Sequence, residues 1–310
     1  MKCVVTGGAG FIGSHLAEAL VKNGEEAVIV DNLCSGNRDN LAGFREKVKF
    51  LKGDVRDLGF LKKAFRGVDV VLHHAALISV VESVDKPGLY HEVNVEGTKN
   101  VLEAARHNNV GRVVFSSSCA VYGETDDLPM REGQDVRPAS PYAEDKLEAE
   151  KLCKEYYEKH GLKTMVLRYF NVFGPRQSPD SSYAGVIPLF VKKVLNNETP
   201  VIYGDGEQTR DFVYVRDVVR ANLLALGAVR GFGEPVNIAS GNEISVNQVL
   251  EAVNKVTGGK AVPKHAPERR GELRRVWADV DKADKQLGFK SRYDFEKGLA
   301  ETVDWLKKKS

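Results

Sequence analysis

The feature that most constrains the fold is the turn Thr6-Gly7-Gly8-Ala9-Gly10-Phe11-Ile12-Gly13, set between the apolar run Cys3-Val4-Val5 and a helical pattern of Ile12, Leu16, Ala19 and Leu20. A strand, a glycine-rich turn and a helix in this order leave few architectures open. Gly8, Gly10 and Gly13 fit G-x-G-x-x-G, and Gly7, Gly10 and Gly13 fit the looser G-x-x-G-x-x-G. Such glycines let the backbone turn sharply, approach a pyrophosphate closely and pack helix on strand, while the helix amino end offers free N–H groups to the anion. The next apolar run, Ala27-Val28-Ile29-Val30, ends in Asp31, at about the distance where an acidic residue holds an adenosine ribose. A carboxylate there accepts from a 2′-hydroxyl and repels a 2′-phosphate, so the pattern predicts NAD rather than NADP.

Strand and helix patterns alternate through the first half, which predicts an α/β fold with a doubly wound parallel sheet of Rossmann type and right-handed crossovers. Val48 to Leu51 is a third strand, ending near Asp54. That carboxylate is either a partner for the adenine amino group or a cap on the helix that follows Asp57. A fourth strand, Val68 to His73, runs into His73-His74-Ala75-Ala76, whose small residues let a dinucleotide lie against the strand end. Both histidines are expected to line the cofactor cleft and not to bind metal, because no cysteine or carboxylate set accompanies them at ligand spacing. A helical stretch from Gly88 to His107 carries Val93, Gly97, Val101, Leu102 and Ala105 near helical spacing, with Asn94 on the side of Gly97. A fifth strand from Arg112 to Phe115 delivers Ser116-Ser117-Ser118 to the carboxyl edge, where ligands bind in open α/β sheets.

The second half is less regular. Thr164 to Tyr169 and Pro235 to Ile238 are strand patterns, Gly174 to Gly185 is loop, and a helix follows near Pro188 to Leu195. The expected organisation is an NAD-binding domain over residues 1–170, to which elements near 211–238 return, and a smaller interleaved substrate lobe from 171–210 and 239–310.

A length of 310 residues suits one extended α/β unit. With 45 basic against 43 acidic residues the net charge is +2, which gives no electrostatic case for nucleic acid or a membrane surface and points to a small partner. Four cysteines, Cys3, Cys34, Cys119 and Cys153, show neither C-x-x-C spacing nor disulfide-scaffold density. The chain enters its first strand almost at once and has no bilayer-length apolar run, so neither a signal peptide nor a span is expected and the compartment is read as cytoplasmic.

Chemistry is expected at Ser140-Pro141-Tyr142-Ala143-Glu144-Asp145-Lys146, where serine can cap a helix and proline suits its first position. Tyr142 and Lys146 then share a face one turn apart. A tyrosine with a pKa of about 10 needs a shift of some 3 units, roughly 4 kcal/mol, to act as a base near neutrality. One cation about 4 Å away at an effective dielectric near 20 supplies that order of energy. Lys146 can be that cation, helped by the helix amino end and by an oxidised nicotinamide ring, and the hydroxyl of Ser118 can relay or orient the proton. Tyr156 and Tyr157 lack such company and are expected to pack.

Six segments together carry a family resemblance: T-G-G-A-G-F-I-G from Thr6, H-H-A-A from His73, N-V-E-G-T from Asn94, S-S-S-C-A-V-Y-G from Ser116, Y-A-E-D-K from Tyr142 and R-Y-F-N-V-F-G-P-R-Q from Arg168. They resemble the extended short-chain dehydrogenase/reductases, and within them the chain is similar to the UDP-glucose 4-epimerases and the related UDP-N-acetylglucosamine 4-epimerases. The resemblance covers essentially the whole length. It implies tightly held NAD, Tyr142 as the base on the sugar 4-hydroxyl, Lys146 on the nicotinamide ribose and Ser118 sharing the substrate hydrogen bond. A hydride passes from C4 to NAD, the 4-keto sugar rotates, and the hydride returns to its other face. The resemblance also places Gly7, Gly10, Phe11, Ile12, Gly13, Asn32, Ser35 and Gly36 beside Asp31 on the cofactor, together with Asp54, Val55, His74, Ala75, Ala76, Asn94, Ser116 and Tyr169.

On the substrate side, it matches Asn171 to a sugar-side asparagine, Val201, Ile202 and Tyr203 to the uracil-side segment, and Arg210 and Arg269 to pyrophosphate-binding arginines, with Val186 also placed on the substrate. Glu272 stands where the family commonly has aspartate. Val276 stands where glucose-restricted epimerases often carry tyrosine, which implies room for an acetamido group at C2. A homodimer is expected, as is common in the family.

Neighbouring reactions are separated at single positions. The sugar dehydratases carry an acidic pair after the residue matching Ser118, where this chain has Cys119 and Ala120, and the UDP-glucuronate decarboxylases place glutamate at Ala120. UDP-glucuronate 4-epimerases use threonine at Asn171 and arginine at Ser178. These contrasts favour a neutral UDP-hexose, with a one-way NDP-sugar oxidoreductase as the rival enzyme and an NAD-binding sensor or scaffold as the rival outside catalysis. A sensor has no need of a base such as Tyr142.

Overall fold

The computed structural model describes residues 1–180, 184–268 and 273–309. The first half lays down β1 (Lys2–Thr6), α1 (Phe11–Lys22), β2 (Glu26–Asp31), β3 (Val48–Lys52), α2 (Leu58–Ala64) and β4 (Val70–His73). Then follow α3 (Val80–Asp85), α4 (Pro87–His91), α5 (Gly97–His107), β5 (Arg112–Ser118), α6 (Pro141–His160) and β6 (Lys163–Tyr169). The second half adds β7 (Asn171–Phe173), α7 (Val186–Leu195), β8 (Val201–Tyr203), β9 (Thr209–Arg210), β10 (Phe212–Tyr214), α8 (Val215–Leu226) and β11 (Pro235–Ile238). It closes with β12 (Ile244–Ser245), α9 (Val246–Thr257), β13 (Lys264–Ala266), β14 (Arg275–Val276), α10 (Asp281–Leu287) and α11 (Phe295–Lys307).

Seven strands form one parallel sheet in the order β11-β6-β5-β4-β1-β2-β3. Strands covered by helices on both faces must be apolar in both directions, which is why β1, β2 and β4 are near-continuous apolar runs. Alternate residues enter opposite layers: Cys3, Val5, Ala27 and Ile29 join one core, and Val4, Val28 and Val30 the other. Edge strand β3 pairs with β2 alone among the described residues and is only partly buried. The strand order reverses between β1 and β4, and the crevice at that switch is where such sheets bind ligands.

Two local features depart from the sequence expectation. The stretch from Gly88 to His107 is not one α-helix: a π-helical turn, Glu92–Glu96, separates α4 from α5. Strand β5 does not stop at Phe115 but pairs with β6 through Ser118, so all three serines belong to the sheet.

Segments after Asn171 both leave the sheet and return to it. Strand β11 pairs with β6, and α8 packs on α1. Small sheets β10-β7, β12-β9-β14 and β13-β8 assemble beside a second core in which Phe173 meets Phe212, Tyr214 and Phe295.

Candidate active site

The carboxyl ends of β1, β2, β4, β5 and β6 open into one cleft of about 620 Å³. Its floor is the glycine turn. Gly7 has φ +68°, and a Cβ on it would lie 2.7 Å from the Ala75 nitrogen; a Cβ on Gly13 would lie 2.2 Å from the Gly7 oxygen. Helix α1 begins at Gly10 with no side-chain cap and no acidic residue in its first turn, leaving its amino end suited to an anion. At the end of β2 the Asp31 carboxylate accepts from Ala9 N at 2.9 Å and Leu33 N at 2.8 Å, which ties the glycine turn to the carboxyl end of β2. A Cβ on Gly36 would lie 2.9 Å from both Asp31 oxygens, so only glycine leaves that carboxylate open. These features fit a dinucleotide.

Of the cofactor-side residues expected from the sequence, all line this cleft except Asp54 and Asn94. Asp54 is committed elsewhere, accepting from Arg56 N, Nε and Nη2 and from Asn32 Nδ2, each at 2.9 Å, and the guanidinium holds it well below the usual carboxylate range. The cap on α2 is Asp57, which accepts from Phe60 N at 2.8 Å. Asn94 sits in the π-helical turn with its amide closed on Leu77: Oδ1 accepts from Leu77 N at 2.9 Å and Nδ2 donates to Leu77 O at 3.0 Å. It shapes the cleft wall without being part of it. His73 also departs from expectation, being buried between Thr6 and Thr98 at 2.7 and 3.0 Å. His74 does line the cleft, 3.0 Å from the Tyr169 hydroxyl, and burial pushes it down to about 3, so it is neutral.

Tyr142 and Lys146 reach the cleft from the first two turns of α6, where Ser140 accepts from Ala143 N at 3.2 Å and Pro141 occupies the first helical position. Lys146 Nζ donates to the Ser116 carbonyl at 2.9 Å and lies 6.0 Å from the centre of the Tyr142 ring. Without a bound cofactor the amine does not bring the phenol toward neutrality. Burial pushes Tyr142 up to about 12, with the Ser118 hydroxyl pulling the other way, and pushes Lys146 down to about 8. Desolvation sets both directions because both groups lie below the surface, and the amine is turned to a carbonyl. In the ligand-free chain the phenol is therefore a proton donor.

A second cavity of about 510 Å³ joins the first along Asn171, Val172 and Gln177, which line both. It is lined by Val186, Val201, Ile202, Tyr203 and Arg210, all expected on the substrate side. Among its described lining residues the charged ones are Lys193 and Arg210, both cationic. Arg269 and Glu272 lie outside the described residues, as does part of the loop from Gln177 to Gly185. Val276 lines neither cavity; it is 4% exposed in a cluster with Tyr122, Met130 and Phe170.

Sequence reasoning missed the apolar lip of the first cleft. Ile78, Val80 and Leu89, at 66%, 48% and 39% exposure, are brought there by α3 and α4. Their signal was available, because an apolar run between Ala75 and Val81 outlasts the strand that precedes it.

The profile of the NAD dependent epimerase/dehydratase family matches residues 3–239. The chain is 42% identical over 306 residues to a putative UDP-glucose 4-epimerase of Methanocaldococcus jannaschii, covering 98% of each. A solved UDP-N-acetylglucosamine 4-epimerase from Methanobrevibacter ruminantium, in complex with UDP-N-acetylmuramic acid, is similar with a TM-score of 0.96 and 41% identity, over 100% of this chain and 99% of that one. The UDP-glucose 4-epimerase of Thermotoga maritima with UDP-glucose gives 0.95 and 38%, over 100% and 99%. Other chemistries also occur among the relatives, including a dTDP-glucose 4,6-dehydratase of Actinoplanes sp. at 36% identity, over 99% and 98%. The glycine cradle, the sheet and the whole-length likeness agree: the chain belongs to the NAD dependent epimerase/dehydratase family.

Proposed function

We propose that this enzyme is a UDP-hexose 4-epimerase that interconverts UDP-glucose and UDP-galactose, and also their N-acetylamino counterparts, through a transient 4-keto sugar. The observation that carries this reading is the composition of the cleft wall. Tyr142, Lys146 and Ser118 gather at one end, and Asp31 at the other is the single carboxylate among the described lining residues. Elimination of water or loss of a carboxyl group calls for an additional acid or base near the reacting carbon, yet Cys119 and Ala120 occupy the positions beside Ser118.

NAD, when bound against the glycine turn and Asp31, supplies the redox partner for C4 and a positive charge beside Tyr142. The chain's own residues do the rest. The Tyr142 phenol exchanges the proton of the sugar 4-hydroxyl, and the nearby ammonium of Lys146 stabilises its ionised form. Ser118, which caps the turn Cys119–Tyr122 by accepting from Ala120 N at 3.2 Å, orients the 4-oxygen. Arg210, in the wall of the second cavity, brings a guanidinium whose paired N–H groups suit a diphosphate. Asn171, on the seam, belongs with the sugar. The family resemblance adds a homodimer, which light scattering of the purified protein checks.

The test is conversion of UDP-galactose to UDP-glucose by wild type and Tyr142→Phe. The variant should keep its fold and its NAD while losing most turnover, because only the proton carrier is removed. Near-normal turnover in the variant refutes the mechanism, and reduced cofactor accumulating in solution in step with substrate loss points instead to a one-way oxidoreductase.

A further inference from the structure

One turn beyond Lys146 on α6 stands Glu150, which is 6% exposed and not part of the cleft wall. Its Oε1 accepts from the Ser117 hydroxyl at 2.5 Å and from Arg168 Nε at 2.9 Å, and its Oε2 from Arg168 Nη2 at 2.7 Å. Ser117 lies between Ser116, whose carbonyl holds Lys146, and Ser118, and in the β5–β6 register it faces Arg168. The Arg168 guanidinium in turn lies 4.8 Å over the ring of Tyr122, whose hydroxyl donates to Asn237 Oδ1 at 2.7 Å. A polar column thus runs from α6 through β5 and β6 to β11. Stability does not account for it, since a buried ion pair is often no better than well-packed apolar side chains of similar volume.

We propose that Glu150 is a positioning residue for Lys146: anchored by Ser117 and Arg168, it fixes α6 on the strand that carries Ser116 and Ser118, and it sets a buried negative charge one turn behind the lysine ammonium. The inference rests on the reading of Tyr142 and Lys146 given above. The titratable groups around the amine are Asp145, Glu150 and Cys153 on its own helix, Tyr142 ahead of it, and His73 and His74 at the end of β4. Both histidines are held neutral by burial. Burial lowers the amine itself, and Asp145 and Glu150 oppose that fall. Of these two anions, Asp145 meets the half-exposed His91 at 3.3 Å and is pushed up by burial, whereas Glu150 is clamped by two bonds from a guanidinium.

Glu150→Gln and Arg168→Gln break the same ion pair but change the charge near Lys146 in opposite senses. The primary readout needs neither cofactor nor substrate. Protein labelled with 13Cε-lysine is titrated by NMR, and the Lys146 resonance is assigned by its loss in Lys146→Arg. Glu150→Gln should lower the Lys146 midpoint by about one pH unit, a nearby opposite charge being worth one or more, and Arg168→Gln should leave it in place, because the guanidinium is not among the groups that act on the amine. The alkaline limb of kcat for UDP-galactose should follow the same shift, with KM and bound NAD unchanged. Should the single variants fail to fold, the double variant Glu150→Gln/Arg168→Gln leaves no uncompensated charge and should show the same fall. An unmoved midpoint in Glu150→Gln or in the double variant overturns the proposal. So do equal shifts in the two single variants, which mark a purely structural pair. A wild type inactive on UDP-sugars overturns the proposed function instead, and the NMR midpoint still decides the role of Glu150.

Discussion

Replacing Lys146 with methionine should stabilise the nucleotide-free chain near neutral pH while abolishing its chemistry. The lysine is 4% exposed, and burial moves its amine from the ordinary 10.5 to about 8. A base with a lowered folded pKa binds fewer protons folded than unfolded between those two values, so wild-type stability rises with pH through that window. Below pH 8 the folded chain bears the full cost of the buried charge. About 2.5 units at roughly 1.4 kcal/mol each is about 3.5 kcal/mol. Against this, methionine forfeits the bond from Nζ to the Ser116 carbonyl at 2.9 Å, a loss of about 1 kcal/mol. The expected net gain is about 2.5 kcal/mol at pH 7. By pH 10.5 the gain should be gone and the variant no more stable than wild type. Urea denaturation of both proteins, stripped of nucleotide, across pH 7 to 10.5 measures the difference directly. A variant less stable than wild type at pH 7, or a difference that does not change with pH, refutes the reasoning.

Asp31→Ala should weaken the preference for NAD over NADP by removing both the ribose acceptor and the repulsion of a 2′-phosphate. It should also cost about 2–4 kcal/mol of stability, because Ala9 N and Leu33 N lose their acceptor; unchanged cofactor discrimination places the ribose contact elsewhere. Arg210→Ala should raise the Kd for a UDP-sugar by about tenfold or more with little change for NAD, and equal losses for both ligands in calorimetry count against a pyrophosphate role. Val276→Tyr should lower kcat/KM for UDP-N-acetylgalactosamine relative to UDP-galactose by at least about tenfold, or 1.4 kcal/mol. Because Val276 is buried beside Tyr122 and Phe170 and lines neither cavity, the ring must displace packed neighbours to act. A ratio it does not move means that neighbouring side chains, not this position, bound the pocket.

What could be read from the chain alone was whatever depends on short spacing. The glycine turn, Asp31 and the pair Tyr142 and Lys146 are set by strand and helix periods, and the structure brings them into one cleft. Apolar runs likewise announced a buried parallel sheet, because a strand covered on both faces has no polar side to show.

Tertiary structure decided what depends on surroundings. Asp54 and Asn94 carry suitable side chains at suitable positions, but Arg56 and the Leu77 backbone claim them first. Tyr142 and Lys146 are one turn apart in any helix, yet only burial sets the direction in which each titrates. Glu150 continues their spacing in plain sight, and its partners Ser117 and Arg168 are 33 and 18 residues away along the chain. Periodicity reports which face of an element is apolar. Which polar group meets which, and how much water is left between them, is fixed only when β5, β6 and α6 pack together, and the charge on a side chain depends on that remaining water.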